Sequence, residues 1–331
     1  MKLHGANVLV TGGAGFIGSH LTERLLEMGA FVTVYDKFDH FYRGKEANIA
    51  EASKNPRFHL VDGDILDMKK LDSSVMNAEV VFHLAGQAGV GYSIDHPKEV
   101  NDANVNGTLN VLWLSRKYNV ARVVNASSSS IFGVPQYLPI DEKHPTNPTS
   151  PYGVSKLAAE QYATAFHRVY GTYAVSLRYF SVYGPRGRPD QVIHRFTKNL
   201  AEGEVPVIQG DGSHTRDFTY VTDVVNATIL AAESEGLGGE IFNIGFGART
   251  SIKELAEKLI GLMGPAGAKK KDIVPAYVAE SRGDFPDTQA SHEKATALLH
   301  WEPEVGLDEG LKLFVNWYRK SMKAKIGGSR N

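Results

Sequence analysis

The chain has 331 residues, room for two domains at roughly 150 residues each and for a core that needs no covalent staples. It contains no cysteine, which excludes disulfides, cysteine metal ligands and a cysteine nucleophile and fits a reducing compartment. Its 36 Lys and Arg balance 37 Asp and Glu, so no polybasic surface for nucleic acid or membrane is expected, and no run of 18 apolar residues suggests a membrane span.

Residues 7–11 (NVLVT) form a short apolar run that ends in glycines, the pattern of a buried parallel strand. No apolar signal region precedes it, so a cytoplasmic protein is expected. Over 16–28 the apolar positions Phe16, Ile17, Leu21, Leu25 and Leu26 follow helical spacing, and Gly29 ends the helix. Strands are predicted at 31–35, 57–61, 80–84, 121–125 and 173–177, with helices at 105–118 and 152–170. This alternation predicts an α/β fold, a doubly wound parallel sheet of Rossmann type, over residues 1–180. From 184 the run GPRGRP breaks the pattern. A smaller α/β lobe for substrate is expected over 181–320, with helices at 251–263 and 307–319. Residues 240–245 (EIFNIG), within a segment 219–246, are expected to return to the first sheet. Lys269, Lys270 and Lys271 read as a solvated loop, and residues 321–331 as a flexible tail.

The loop TGGAGFIG (11–18) joins the first strand to the first helix. Gly12 makes the tight turn, Gly15 admits a phosphate to the backbone, and Gly18 lets the helix approach the sheet, while the helix N-terminus favours an anion. The strand–turn–helix context turns a weak motif into a dinucleotide site. Asp36, at the end of the second strand, accepts from both ribose hydroxyls and repels a 2′-phosphate, which favours NAD over NADP. The alternative phosphate loop needs Lys-Ser/Thr after the last glycine, where this chain has Ser19 and His20.

Tyr152 and Lys156 stand at i and i+4 on one helix face. An ammonium beside a phenol lowers its pKa, so the pair suits a general base for a sugar hydroxyl; the pattern alone also fits an exposed helix face. Ser127 to Ser130 follow a strand end that faces the ligand crevice, either as a simple turn or as a hydroxyl orienting the substrate. His292 and His300 are scattered and HExxH is absent, so no metal site is expected.

Together these residues resemble the extended short-chain dehydrogenase/reductase family, in its NAD-dependent epimerase/dehydratase branch. The resemblance runs through TGGAGFIGSH (11–20), GDILD (63–67), HLAGQAGV (83–90), NVNGTLNVL (104–112), SSSSIFG (127–133), SPYGVSK (150–156), LRYFSVYGPRGRPD (177–190), RDFTYVTDVV (216–225) and LHWEPEVGLDEGL (299–311). It implies that Asp64 and Ile65 flank the adenine, that Leu84, Ala85 and Gln87 line the dinucleotide, and that Phe16, Ile17, Asn104 and Tyr179 belong to the same cofactor site. It implies Tyr152 as base, Lys156 on the nicotinamide ribose, and Ser128 on the reacting hydroxyl with Ser129 beside it. Gly89, Ser181 and Arg188 are implied on the substrate side, and Arg216 and Arg282 on the nucleotide diphosphate.

Sugar 4,6-dehydratases of this family carry an Asp-Glu pair after the catalytic hydroxyl. Ser129 and Ser130 stand there, so the resemblance implies a UDP-sugar 4-epimerase that passes through a 4-keto intermediate and regenerates its NAD. Ser181 and Arg188 resemble the UDP-glucuronate type; Gly91, where that type usually has Arg, resembles the UDP-glucose/UDP-galactose type, and an N-acetylhexosamine substrate is a further alternative. A non-catalytic NAD-binding regulator is the rival from another class. The family implies a homodimer through the helices at 105–118 and 152–170.

Overall fold

The computed structural model describes residues 1–39, 41–263, 273–279 and 286–328. Arg282 and the lysines 269–271 lie outside the described residues. Seven parallel strands form the main sheet. β1 (Asn7–Thr11), β2 (Phe31–Asp36) and β3 (Phe58–Asp62) run to one side. β4 (Val80–His83), β5 (Arg122–Ser128), β6 (Ala174–Tyr179) and a last strand, Ile241–Ile244, run to the other. The order is Ile241–Ile244, β6, β5, β4, β1, β2, β3, so the direction of winding reverses between β1 and β4. In such sheets the crevice above that reversal is where ligands bind.

Helices cover both faces, which is why the central strands are nearly continuous apolar runs. Val8, Val10, Val34, Phe82, Val124 and Leu177 are buried against one layer, which includes Leu21 and Leu25 of α1 (Phe16–Glu27) and Val224 and Ala231 of the helix Val221–Glu233. Leu9, Val81 and Val123 are buried against the other, with Val111, Leu114, Ala163 and Phe166. Each fully buried side chain of this kind contributes about 1.5–3 kcal/mol. A second core gathers Ile193, Phe196, Leu255, Leu259, Leu311 and Phe314 from three helices, Val192–Ala201, Ile252–Met263 and Leu307–Gly328. Among the described residues no helix is long and apolar enough to cross a membrane.

Several boundaries differ from the sequence pattern. β5 continues beyond Asn125 to Ser128, and β6 to Tyr179, because both remain paired to their ends in the sheet. The helix expected over 105–118 begins with a wider turn, Asp102–Asn106, and is regular only over Gly107–Lys117. The Thr108 hydroxyl donates to the Asn104 carbonyl at 2.6 Å, an alternative partner that loosens the regular ladder there. The helices Val192–Ala201 and Val221–Glu233 were not predicted, although Ile193, Phe196 and Leu200 of the first follow helical spacing and are buried together. The last helix does not stop at Arg319. It reaches Gly328 through Lys and Ala, good helix formers, so the tail expected from 321 is helical that far, and 329–331 lie outside the described residues.

Candidate active site

Gly12 has φ +71°, and a Cβ there would stand 2.7 Å from the Ala85 nitrogen. A Cβ at Gly18 would run into the Gly12 carbonyl oxygen, and one at Gly15 would lie 3.1 Å from the same atom. These glycines bring the first turn of α1 down onto the ends of β1 and β4. No side chain caps α1 at Gly15, and its first turn, Phe16 to Gly18, lines the cleft.

Asp36 is buried; its carboxylate accepts from the Ala14 N–H at 3.2 Å and the Phe38 N–H at 3.0 Å. Lys45 Nζ, buried as well, lies 3.6 Å from Asp36 and 2.8 Å from Asp39. The Tyr42 hydroxyl is buried beside the Phe16 backbone, 3.7 Å from the Cβ position of Gly15. Tyr42 and Lys45 escaped the sequence reading. Tyr42 lies in the segment after Asp36 at a strand's C-terminal end and Lys45 opens the short helix Lys45–Ile49 that follows it, the one signal that marked them.

One cleft is lined by Gly12, Gly15, Phe16, Ile17, Gly18, Asp36, Asp64, Ile65, Leu84, Ala85, Gln87, Tyr152, Lys156, Tyr179 and Arg188 together. Asn104 is not on its wall. Its side chain accepts from the Gln87 N–H at 2.7 Å and donates to the Gln87 carbonyl at 3.0 Å and to Ser155 Oγ at 2.9 Å, so it shapes the wall from behind. The Tyr179 hydroxyl is paired with Thr228 at 2.8 Å. Gly89, at φ +105°, precedes the short helix Val90–Asp95 and packs under Phe41.

Ser150 caps the helix Pro151–Tyr170 by accepting from the Gly153 N–H at 3.1 Å, and this cap sets Tyr152 in the first turn beside the end of β5. Ser128 stands beside the Tyr152 phenol, and its Oγ accepts from the Ser130 N–H at 3.2 Å. Ser129 opens a short 3₁₀ turn instead. Burial pushes the Tyr152 phenol above its ordinary pKa; Arg188 and Ser128 pull it down, and Asp190 pushes it up. The lowering expected from Lys156 is therefore supplied by Arg188. Lys156 itself is brought down to about 8 by burial. Arg188 binds the Asp190 carboxylate through Nε at 2.9 Å and Nη2 at 3.0 Å. Its loop is pinned to α1 by His20 Nε2, 2.8 Å from the Pro185 carbonyl, and by Arg186 to Glu23 at 2.6 Å.

Ser181 and Arg216 do not join this wall. They line an adjoining cleft with Gln191, Val192, Phe196, Gln209, His214 and Phe218. Arg216 Nη1 donates to the Thr215 carbonyl at 2.8 Å and the Pro286 carbonyl at 3.2 Å.

The glycine cradle, the apolar walls at Ile65 and Leu84 and the Asp36 carboxylate fit a dinucleotide. Residues 8–245 match the model of the NAD dependent epimerase/dehydratase family. The chain is 40% identical to a provisionally named UDP-glucose 4-epimerase of Methanocaldococcus jannaschii, over 95% of this chain and 99% of that one. It is 37% identical to a UDP-glucuronate 4-epimerase of Thermodesulfobacterium geofontis, over 95% and 97%. Among solved structures it superposes on the UDP-glucuronic acid 4-epimerase of Bacillus cereus, in complex with UDP-glucuronic acid and NAD, with TM-score 0.88, 33% identity and 95% and 99% coverage.

Proposed function

The chain belongs to the NAD dependent epimerase/dehydratase family, and from that premise we propose that it inverts C4 of UDP-glucuronate and UDP-galacturonate. It is an isomerase of the UDP-sugar 4-epimerase class, and its cofactor is NAD. The residues that hold the dinucleotide are the glycines of 12–18, Asp36 and the walls at 64–65 and 84–87. When bound, NAD supplies the acceptor and then the donor of the C4 hydride.

The chain's own part is proton and hydroxyl handling. Ser128 holds the C4 hydroxyl against Tyr152. The phenolate takes its proton as C4 becomes a ketone and returns a proton to the alcohol oxygen after the 4-keto sugar has turned its other face. Arg188 stabilises the phenolate. Ser129 and Ser130 supply no carboxyl group to expel water, which supports epimerisation over 4,6-dehydration.

The observation that carries the uronate is Arg188 on the same wall as Tyr152. Its Nε edge is held by Asp190, and guanidinium suits a second carboxylate. Arg216, in the adjoining cleft, is assigned to the nucleotide diphosphate, as is Arg282, and Ser181 to the sugar–phosphate region. Incubation with each UDP-sugar and identification of the product tests the choice. Conversion of UDP-glucuronate to UDP-galacturonate is expected; turnover confined to other UDP-sugars overturns it. Gly91 favours a second reading, a UDP-glucose/UDP-galactose 4-epimerase. No atom lies within 4 Å of its Cβ position, so packing does not require glycine where the uronate type has Arg.

A homodimer is part of the proposal. Trp113, Val154, Tyr162, Val169 and Tyr170 are exposed on the helices Gly107–Lys117 and Pro151–Tyr170. Equilibrium sedimentation should give twice the chain mass.

A further inference from the structure

Tyr152, Lys156 and Glu160 stand at i, i+4 and i+8, one stripe of the helix Pro151–Tyr170. They meet three consecutive residues at the end of β5. Tyr152 stands beside Ser128, Lys156 Nζ donates to the Ala126 carbonyl at 2.8 Å, and Glu160 Oε2 accepts from Ser127 Oγ at 2.7 Å. Glu160 also takes a two-pronged contact from Arg178, Nε at 3.0 Å and Nη2 at 2.8 Å. Arg178 lies on β6 directly opposite Ser127 in the sheet register. One carboxylate thus ties the helix to two paired strands next to the reacting groups.

Glu160 is 0% exposed, Arg178 4% and Ser127 3%. A buried pair of this kind is weak as a source of stability, since apolar residues of the same volume often serve as well. What it supplies is geometry: two fixed prongs and a third bond that sets the orientation of Ser127, the residue joined by one peptide to Ser128. An error of about 1 Å in such placement costs up to 100-fold in rate. We propose that Glu160, acting through Ser127, is a positioning residue that sets the end of β5 so that Ser128 meets the Tyr152 phenol. This rests on the reading of Ser128 and Tyr152 as the reacting pair.

Glu160→Gln leaves the Arg178 charge buried without its counter-charge and endangers folding, so the decisive variant is Ser127→Ala, which removes the third bond and keeps the ion pair. Its NAD affinity and melting temperature should stay close to the parent's, KM for the UDP-sugar should hold, and kcat should fall about tenfold. Ser127→Thr, which keeps the hydroxyl, should restore most of that loss. In a Ser128→Ala background, Ser127→Ala should cost nothing more. An unchanged kcat in Ser127→Ala, or an equal loss with and without Ser128, overturns the inference. Tyr152→Phe run alongside separates the two failures. If it is inactive while Ser127→Ala is unaffected, positioning alone is wrong; if it turns over normally, the reacting pair is wrong and the inference falls with it.

Discussion

Lys156 Nζ lies 2.8 Å from the Ala126 carbonyl oxygen, so the lysine's charge is anchored to the sheet rather than to the phenol one turn away. Burial lowers its pKa to about 8. The charged form exists below that value and is lost above it. If the ammonium holds the nicotinamide ribose, kcat/KM should fall as pH rises through about 8. Lys156→Arg should move that limb to higher pH, which a pH–rate profile reads directly.

Tyr152→Phe removes the hydroxyl proposed to exchange a proton at C4. Turnover should fall by about 10²–10⁴, the range for a general base, with NAD still bound. Product analysis together with NAD titration checks both halves. Normal turnover would require a different base.

Asp36 is proposed to select the cofactor through charge. Asp36→Asn keeps the shape and removes the repulsion of a 2′-phosphate. The preference for NAD over NADP should shrink at least about tenfold on the scale where 1.4 kcal/mol is one decade. Calorimetric titration with each dinucleotide measures the ratio; an unchanged ratio would place the discrimination elsewhere, with Lys45 the next residue to change.

Gly18 and Gly91 make a matched pair for alanine. At Gly18 the new methyl meets the Gly12 carbonyl oxygen and approaches Gly13 Cα at 2.8 Å, both backbone. Overpacking of that kind costs about 1–3 kcal/mol, so melting should drop by several degrees and NAD affinity with it. At Gly91, inside the helix Val90–Asp95, the space is open, and Gly91→Ala should be neutral or gain up to about 1 kcal/mol. Thermal melts of the two variants settle the contrast.

His83 is fully buried between two threonines, its Nδ1 2.7 Å from Thr11 Oγ1 and its Nε2 2.9 Å from Thr108 Oγ1. Since Thr108 donates to the Asn104 carbonyl, the assigned tautomer carries its proton on Nε2. Burial lowers its pKa from 6.5 to about 3. The unfolded chain therefore binds a proton that the folded chain refuses between those values. This contribution is complete above pH 6.5 and is lost on acidification at about 1.4 kcal/mol per unit. His20, lowered to about 4 mainly by burial, acts in the same direction. Urea unfolding at pH 7 and pH 5 should show His83→Gln with a shallower loss than the parent.

The glycine loop, the strands of the sheet and the Tyr152–Lys156 spacing were legible because each depends on local rules: period, turn chemistry and helical pitch. What was not legible depends on where loops land. Asn104 was grouped with the cofactor wall, but its amide lies behind that wall, bonded to Gln87 and Ser155, a relation that no spacing encodes. Ser181 and Arg188 are seven positions apart in one motif yet face different clefts, because the turn at Gly184, φ +147°, and Arg186, φ +64°, swings the chain between them. The phenol's partner cation also came from that loop rather than from its own helix. The Glu160–Ser127 contact joins residues 33 apart that only the packed sheet brings together.

The strand Ile241–Ile244 pairs with β6, but most of the second lobe's first half is threaded between them. During synthesis the six earlier strands leave the ribosome first, and β6 then waits as an unpaired edge until Ile244 has emerged. A bare central strand of that kind recruits other chains. Nonsense products or proteolytic fragments that end before Ile241 should therefore be insoluble even though they carry the whole glycine loop and the whole Tyr152 helix.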